Sequence, residues 1–328
     1  MAPEPAPVRE EPLPVGIREI AALASLLAMF FAAQLVAVLL RGPFRESGVD
    51  RAFADPTDPL NGVWLLLTVV VFTILILYIA KKKRPLLIQA LILGSVGLTL
   101  VYVFYPLLDM LPTPVFDSRP VPLLGSFNPA VLVAIVPAAL LTYLLKRRPE
   151  WYIVDAVGLS VSAGTIAIFG ASFTPVTYLL VLVAFAVYDY VSVYKTKHML
   201  SLADSVLDLR LPIMLVVPKA LDYSFLDERA QVRKRAETPG PKKPRDAMFI
   251  GLGDVVIPSI FGLTALGAPL QSAGACFGTF VGIAAGLLVL MYFVLRGRPH
   301  AGLPTLNTGA FLGFLAGLYI ERGTVIFW

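Results

Sequence analysis

Two aspartates stand where aspartate is expensive, each inside an apolar stretch long enough to cross a membrane. Asp189 lies in Val176–Tyr194 (VTYLLVLVAFAVYDYVSVY) and Asp254 in Ala247–Leu266 (AMFIGLGDVVIPSIFGLTAL). An ionisable residue at that depth is a functional-site candidate by default. Two carboxyl groups held close cannot both ionise cheaply, so one keeps its proton and the pair holds an acid and a base at once. The base can take a proton from water as that water attacks a peptide carbonyl. The acid can protonate the carbonyl oxygen or the leaving amine. Such a dyad needs no metal. A single intramembrane aspartate is as readily a structural residue or a station on a proton or ion path; two at matched depth weaken the purely structural reading.

The elements that must position this pair are membrane helices. Of 328 residues, 57% are hydrophobic and 15% charged, against about a quarter charged in soluble domains. Mean hydropathy is +0.79, and the apolar residues come in runs rather than in the alternation of a transmembrane barrel. The expected fold is an all-α polytopic membrane protein with nine spans. These are Ile20–Leu40, Leu60–Ala80, Leu86–Leu108, Pro129–Leu145, Ile153–Phe173, Val176–Tyr194, Ala247–Leu266, Ser272–Leu295 and Gly302–Ile320. In outline, 1–17 is a proline- and glutamate-rich tail expected to be disordered, 18–194 holds spans one to six, 195–246 is a polar loop, and 247–328 holds spans seven to nine.

The basic residues orient the chain. With the N-terminus in the cytoplasm, twenty-two of the 27 Lys and Arg fall on the cytoplasmic side and five outside. Without the long loop the split is still eleven to five, which the positive-inside rule reads as a cytoplasmic N-terminus and an external C-terminus. Spans six and seven then flank one cytoplasmic loop. Asp189 lies six residues before Lys195 and Asp254 eight after Asp246, so helical rise places both on the order of 10 Å below that face.

Other chemistries find little support. The basic residues punctuate spans and form no aromatic-interleaved patch, so no nucleic-acid partner is expected. One cysteine, Cys276, and two histidines, His198 and His300, cannot assemble an ordinary zinc site. No metal and no cofactor are expected.

Two further segments bear on the pair. Gly251-Leu252-Gly253-Asp254 puts two glycines within a turn of the acid. Another chain could approach that backbone closely, leaving groups for an extended substrate to pair with; tight helix packing is the competing reading. Gly302-Leu303-Pro304-Thr305-Leu306-Asn307 begins span nine on the same side. A proline there sets the start of the helix and is expected to leave backbone carbonyls unpaired, unless it is only a helix-start proline.

With Tyr188-Asp189, Gly251-Leu252-Gly253-Asp254 and Leu303-Pro304-Thr305-Leu306 in these spans, the chain resembles the presenilin and signal peptide peptidase family of intramembrane aspartyl proteases. Tyr188–Leu202 (YDYVSVYKTKHMLSL) is most similar to archaeal presenilin homologues. The resemblance implies a presenilin-like fold, Asp189 and Asp254 as the catalytic pair, and an archaeal plasma membrane. It also implies that Tyr188, Gly251, Leu252, Gly253, Pro304, Thr305 and Leu306 frame the active site. Pro304, Thr305 and Leu306 match the family's Pro-Ala-Leu motif, with Thr305 in place of the alanine; its hydroxyl could alter substrate preference.

The loop 195–246 divides in two. Its first half is apolar enough to lie on the membrane or fold against the spans, and Asp204 and Asp208 read as solvated charges. Asp227–Asp246 is charged and proline-rich, reads as disordered, and lacks an apolar segment that would make presenilin-like self-cleavage obvious. Asp155 and Asp109 fall near span ends, where water is expected to reach them. The expected activity is hydrolysis of peptide bonds in transmembrane segments near the cytoplasmic face. The partners are substrate helices and membrane lipid, with a homo-oligomer left open. The alternative is a proton-coupled carrier or ion pathway using the same aspartates, although no inverted repeat is evident.

Overall fold

The computed structural model describes residues 16–49, 51–82, 84–110, 129–196, 214–219, 223–224, 247–295 and 300–327. His198, Asp204, Asp208 and Asp227–Asp246 lie outside the described residues.

Backbone in a bilayer must satisfy its own hydrogen bonds, and helices are how these apolar runs do so. Six come first: α1 (Ile17–Glu46), α2 (Leu60–Lys81), α3 (Pro85–Asp109), α4 (Pro129–Arg147), α5 (Trp151–Ser172) and α6 (Pro175–Val191). A π-helical turn, Ser192–Thr196, continues α6. Then come strands β1 (Met214–Pro218) and β2 (Ala247–Gly251), followed by α7 (Leu252–Thr264), α8 (Ala273–Leu295) and α9 (Gly302–Arg322). Eight of these helices are long and apolar enough to span a membrane; α7 is a shorter apolar helix. α6 shows how its start is made: Thr174 caps it, its hydroxyl accepting the Thr177 N–H at 3.3 Å, and Pro175 fills the first turn.

Span seven departs from expectation. A helix over Ala247–Leu266 would have brought Asp254 eight helical residues into the membrane. Instead, the first five residues form β2, antiparallel to β1 with Val216 opposite Phe249, and only 13 residues wind into α7. Backbone pairing with β1 competed successfully with helix formation. The depth deduced from helical rise therefore does not hold for Asp254. The apolar half of the 195–246 loop does fold against the spans where it is described: Leu215, Val216 and Val217 are buried.

α5 is the hub, packing against α1, α3, α4, α7 and β1. Over its most apolar 18 residues, 56% are buried, against none in α2, so α2 is left to face lipid. α8 and α9 meet through glycines. A methyl added at Gly282 would overlap the Gly309 carbonyl oxygen, and one at Gly278 that of Gly313. One at Gly274 would come within 2.7 Å of the Gly317 carbonyl. Backbone touches backbone along this seam, the close approach that small residues permit in membranes.

Candidate active site

Asp189 sits in the last turn of α6 on its buried stripe, with Tyr178 and Leu182 toward the N-terminus. It is 5% exposed, and its Oδ2 accepts the Leu303 N–H at 3.0 Å. Asp254 is the third residue of α7 and half-buried. An acid in the first helical turn faces the positive end of the helix dipole. A Cβ built on Gly302 would meet Oδ1, Cγ and Oδ2 of Asp254 at 3.3–3.4 Å, so the Gly302 backbone lies against this carboxyl group. Two consecutive residues at the start of α9 thus lie at the two carboxyl groups, Leu303 against Asp189 and Gly302 against Asp254.

Leu303 can serve Asp189 because of where α9 begins. The first four N–H groups of a helix have no partner within it. Pro304, third in the helix, has no N–H to lose, and its ring opposes winding a further turn backward. An N–H is what the site uses here, and the Pro304 carbonyl itself accepts from Thr308 Oγ1 at 2.7 Å. Replacing Pro304 by alanine should let α9 lengthen backward and draw Leu303 N–H away from Asp189. The expected result is a roughly ten-fold or greater fall in the cleavage rate from misplacement of the carboxyl group, with little change in thermal stability. Full activity on several substrates would reduce Pro304 to a helix start. Leu306→Arg would not be a usable test of the motif: Leu306 is fully buried, so an unpaired charge there would unfold the protein.

Of the other residues singled out in the sequence, Gly251 caps α7, and its built Cβ would lie 3.5 Å from Asp254 Oδ2. Among the described residues, a Cβ built on Gly253 would have only Ile257 Cδ1 within 4 Å, at 3.9 Å, leaving room along that backbone. Leu252 packs away from the carboxyl groups, toward Gly158 of α5. Thr305 is half-buried, its carbonyl against Gly286 of α8. Tyr188, next to Asp189 in α6, is 56% exposed.

Sequence reasoning missed the clips that hold these elements in register. Asn307 Nδ2 donates to the Leu182 carbonyl at 2.8 Å, tying α9 to α6. The Tyr178 hydroxyl donates to the Ile257 carbonyl at 3.0 Å, tying α6 to α7. Gln34 Nε2 donates to Ser259 Oγ at 2.9 Å, tying α1 to α7. His300 stacks on Phe293 with ring centroids 4.5 Å apart, and its Nδ1 lies 3.1 Å from the Tyr194 hydroxyl. Leu303, Asn307, Ala310 and Phe314 form one buried stripe of α9, and that helical spacing was a readable sign that Asn307 turns inward. Asp155 requires correction. Water was expected to reach it, yet it is 6% exposed and accepts the Val216 N–H at 2.8 Å.

The family model described as "Signal-peptide peptidase, presenilin aspartyl protease" matches residues 27–322. The chain belongs to this family. It is thus an aspartic-type intramembrane endopeptidase and a multi-pass membrane protein. Two solved structures of a presenilin family intramembrane aspartate protease, in space groups C222 and P2, are similar to it, each at 29% identity. The first covers 91% of this chain and 99% of its own, with a TM-score of 0.62. The second covers 93% and 99%, with a TM-score of 0.63. No curated protein matches. Nine membrane helices, with α7 as the short seventh, agree with this family membership.

Proposed function

We propose that Asp189 and Asp254 are the catalytic dyad of this intramembrane protease, and that it cuts transmembrane segments close to the cytoplasmic face. The observation that carries the reading is the convergence of both carboxyl groups on Gly302 and Leu303. One carboxylate takes a proton from the attacking water, whose oxygen bonds to the peptide carbon. The other carboxyl group protonates the carbonyl oxygen; as the tetrahedral diol collapses it takes a proton back from a diol hydroxyl, and the first group passes water's proton to the departing amine. Leu303 N–H holds one oxygen of Asp189, leaving the other to the water or the substrate.

β2 supports a way of holding the substrate. Val216 N–H points to Asp155 and away from β2, so Val216 and Phe249 form a non-hydrogen-bonded pair. By the same alternation the N–H and C=O groups of Ala247, Phe249 and Gly251 point to the side of β2 away from β1, where the Gly251 N–H meets the Asp254 carboxyl group. An extended substrate segment added along that edge would run toward Asp254, past the open backbone of Gly253. Substrate helices would have to unwind there, which the glycines of Gly251–Asp254 leave room for.

Detergent-solubilised protein should cleave a transmembrane peptide with no ion gradient present, the products being identified by mass spectrometry. A carrier using the same aspartates would show no proteolysis. We further propose that the N-terminus is cytoplasmic and the C-terminus external, from the charge distribution. Substrates entering with an external N-terminus should then be cleaved faster than inverted ones. Reporter fusions at both termini check the orientation; a cytoplasmic Trp328 together with an external Met1 would overturn it.

A further inference from the structure

Asp155 is a buried carboxyl group that the dyad mechanism does not use, and its place in the fold is specific. It lies on the face of α5 that receives β1 and the start of α7. Three residues on, a Cβ built at Gly158 would meet Leu215 Cδ2 at 3.0 Å and Leu252 Cδ2 at 3.1 Å. Glycine there lets the strand and the α7 start sit hard against α5. Asp155 then takes the Val216 N–H at 2.8 Å, from the edge of β1 that β2 does not occupy. Lys219 approaches Glu19 at 3.7 Å, and Ser224 Oγ donates to Glu150 Oε1 at 3.2 Å. Those two contacts hold the chain beyond β1, whereas Asp155 grips the strand at its centre.

A one-residue slip of a strand would turn every side chain to the other face. Buried Val216 faces one apolar cluster, while Leu215 and Val217 face another, so burial already resists that slip. It does not stop β1 from sliding or tilting along α5 as a unit, carrying β2 with it. A buried hydrogen bond to a fixed helix does, because breaking it would leave both partners unpaired away from water. We infer that Asp155 is a positioning residue: by gripping Val216 N–H it fixes the β1–β2 pair against α5, and so selects which substrate bond lies at the dyad. This rests on the reading of Asp189 and Asp254 as the dyad and of β2 as the substrate-bearing edge.

The test compares cleavage products and kinetics of the full chain in detergent, with thermal unfolding measured alongside. Asp155→Leu removes the acceptor at similar size; Asp155→Asn keeps an acceptor oxygen. Asp155→Leu should spread cleavage over neighbouring bonds and lower kcat about ten-fold or more, with a smaller change in KM. Asp155→Asn should restore the parent's product pattern. Val216→Pro removes the donor from a position that β2 does not use and that an edge strand tolerates. It should reproduce the leucine phenotype and add nothing to it in the double mutant. It also tests the same bond if the leucine variant fails to fold. An unchanged product pattern and kcat in both Asp155→Leu and Val216→Pro overturns the inference. So does a phenotype that asparagine fails to rescue. If these variants match the parent while Asp189→Asn is inactive, the dyad stands and only this inference falls. If Asp189→Asn still cleaves, the reading beneath it falls as well.

Discussion

Asp189→Asn and Asp254→Asn should each abolish cleavage of a transmembrane peptide, and the double mutant should be no worse than either. Loss of a single acid or base typically costs 10²–10⁴-fold. Here each carboxyl group supplies one half of a shared proton transfer, so removing one disables the other and the effects do not add. Asparagine is nearly isosteric and lowers the cost of burial, and its side-chain oxygen can still accept the Leu303 N–H that Asp189 now accepts. Both variants should therefore fold at least as stably as the parent. Hydroxyl-bearing transition-state mimics of aspartyl proteases should bind the parent and lose affinity for both. Activity in the parent should fall at high pH, when neither group retains a proton to donate. It should also fall at low pH, when neither can accept one, and the two limits belong to the pair rather than to either residue. Substantial cleavage by folded Asp254→Asn protein would falsify the dyad.

The largest expected effect on stability comes from the α8–α9 seam. Gly282→Leu places a side chain where the Gly309 carbonyl already stands. A side-chain clash can be relieved by a rotamer change, but this one is with backbone, so the helices must separate. Overpacking a core typically costs about 1–3 kcal/mol, and separation along a glycine seam should lie at or above the top of that range. Moving α9 also carries Leu303 away from Asp189. Gly282→Leu is therefore expected to lose both thermal stability in detergent and cleavage. Gly94→Ala is the control: a Cβ at Gly94 of α3 meets nothing within 4 Å, so that variant should match or exceed the parent in stability. Parent-like unfolding of Gly282→Leu would show that the seam can open without cost.

Hydrocarbon admits few ionisable groups and demands internally bonded backbone, so span positions could be read from residue types and two aspartates stood out as candidates. Eight of the nine expected spans are helices within a few residues of their predicted ends, α1 extending furthest beyond its own, from Ile17 to Glu46. Span seven was misread because an apolar run of the right length carries no sign of whether a distant strand will compete for its backbone. Ala247–Gly251 became a strand only because Met214–Pro218 arrived beside it. Asp155 was misjudged for the same reason. Its distance from a span end said water; the strand laid over it says buried.

Residue chemistry by itself determined that this chain is a membrane protein and that two carboxyl groups stand inside apolar runs long enough to cross a membrane. Those are local properties, set by the cost of moving each side chain out of water. Tertiary structure alone decided the shared site at Gly302 and Leu303, the glycine contact of α8 with α9, and the grip of Asp155 on β1. Each joins residues dozens to more than a hundred positions apart. What puts them in reach is the packing of whole helices, whose direction and rotation no short stretch of sequence encodes.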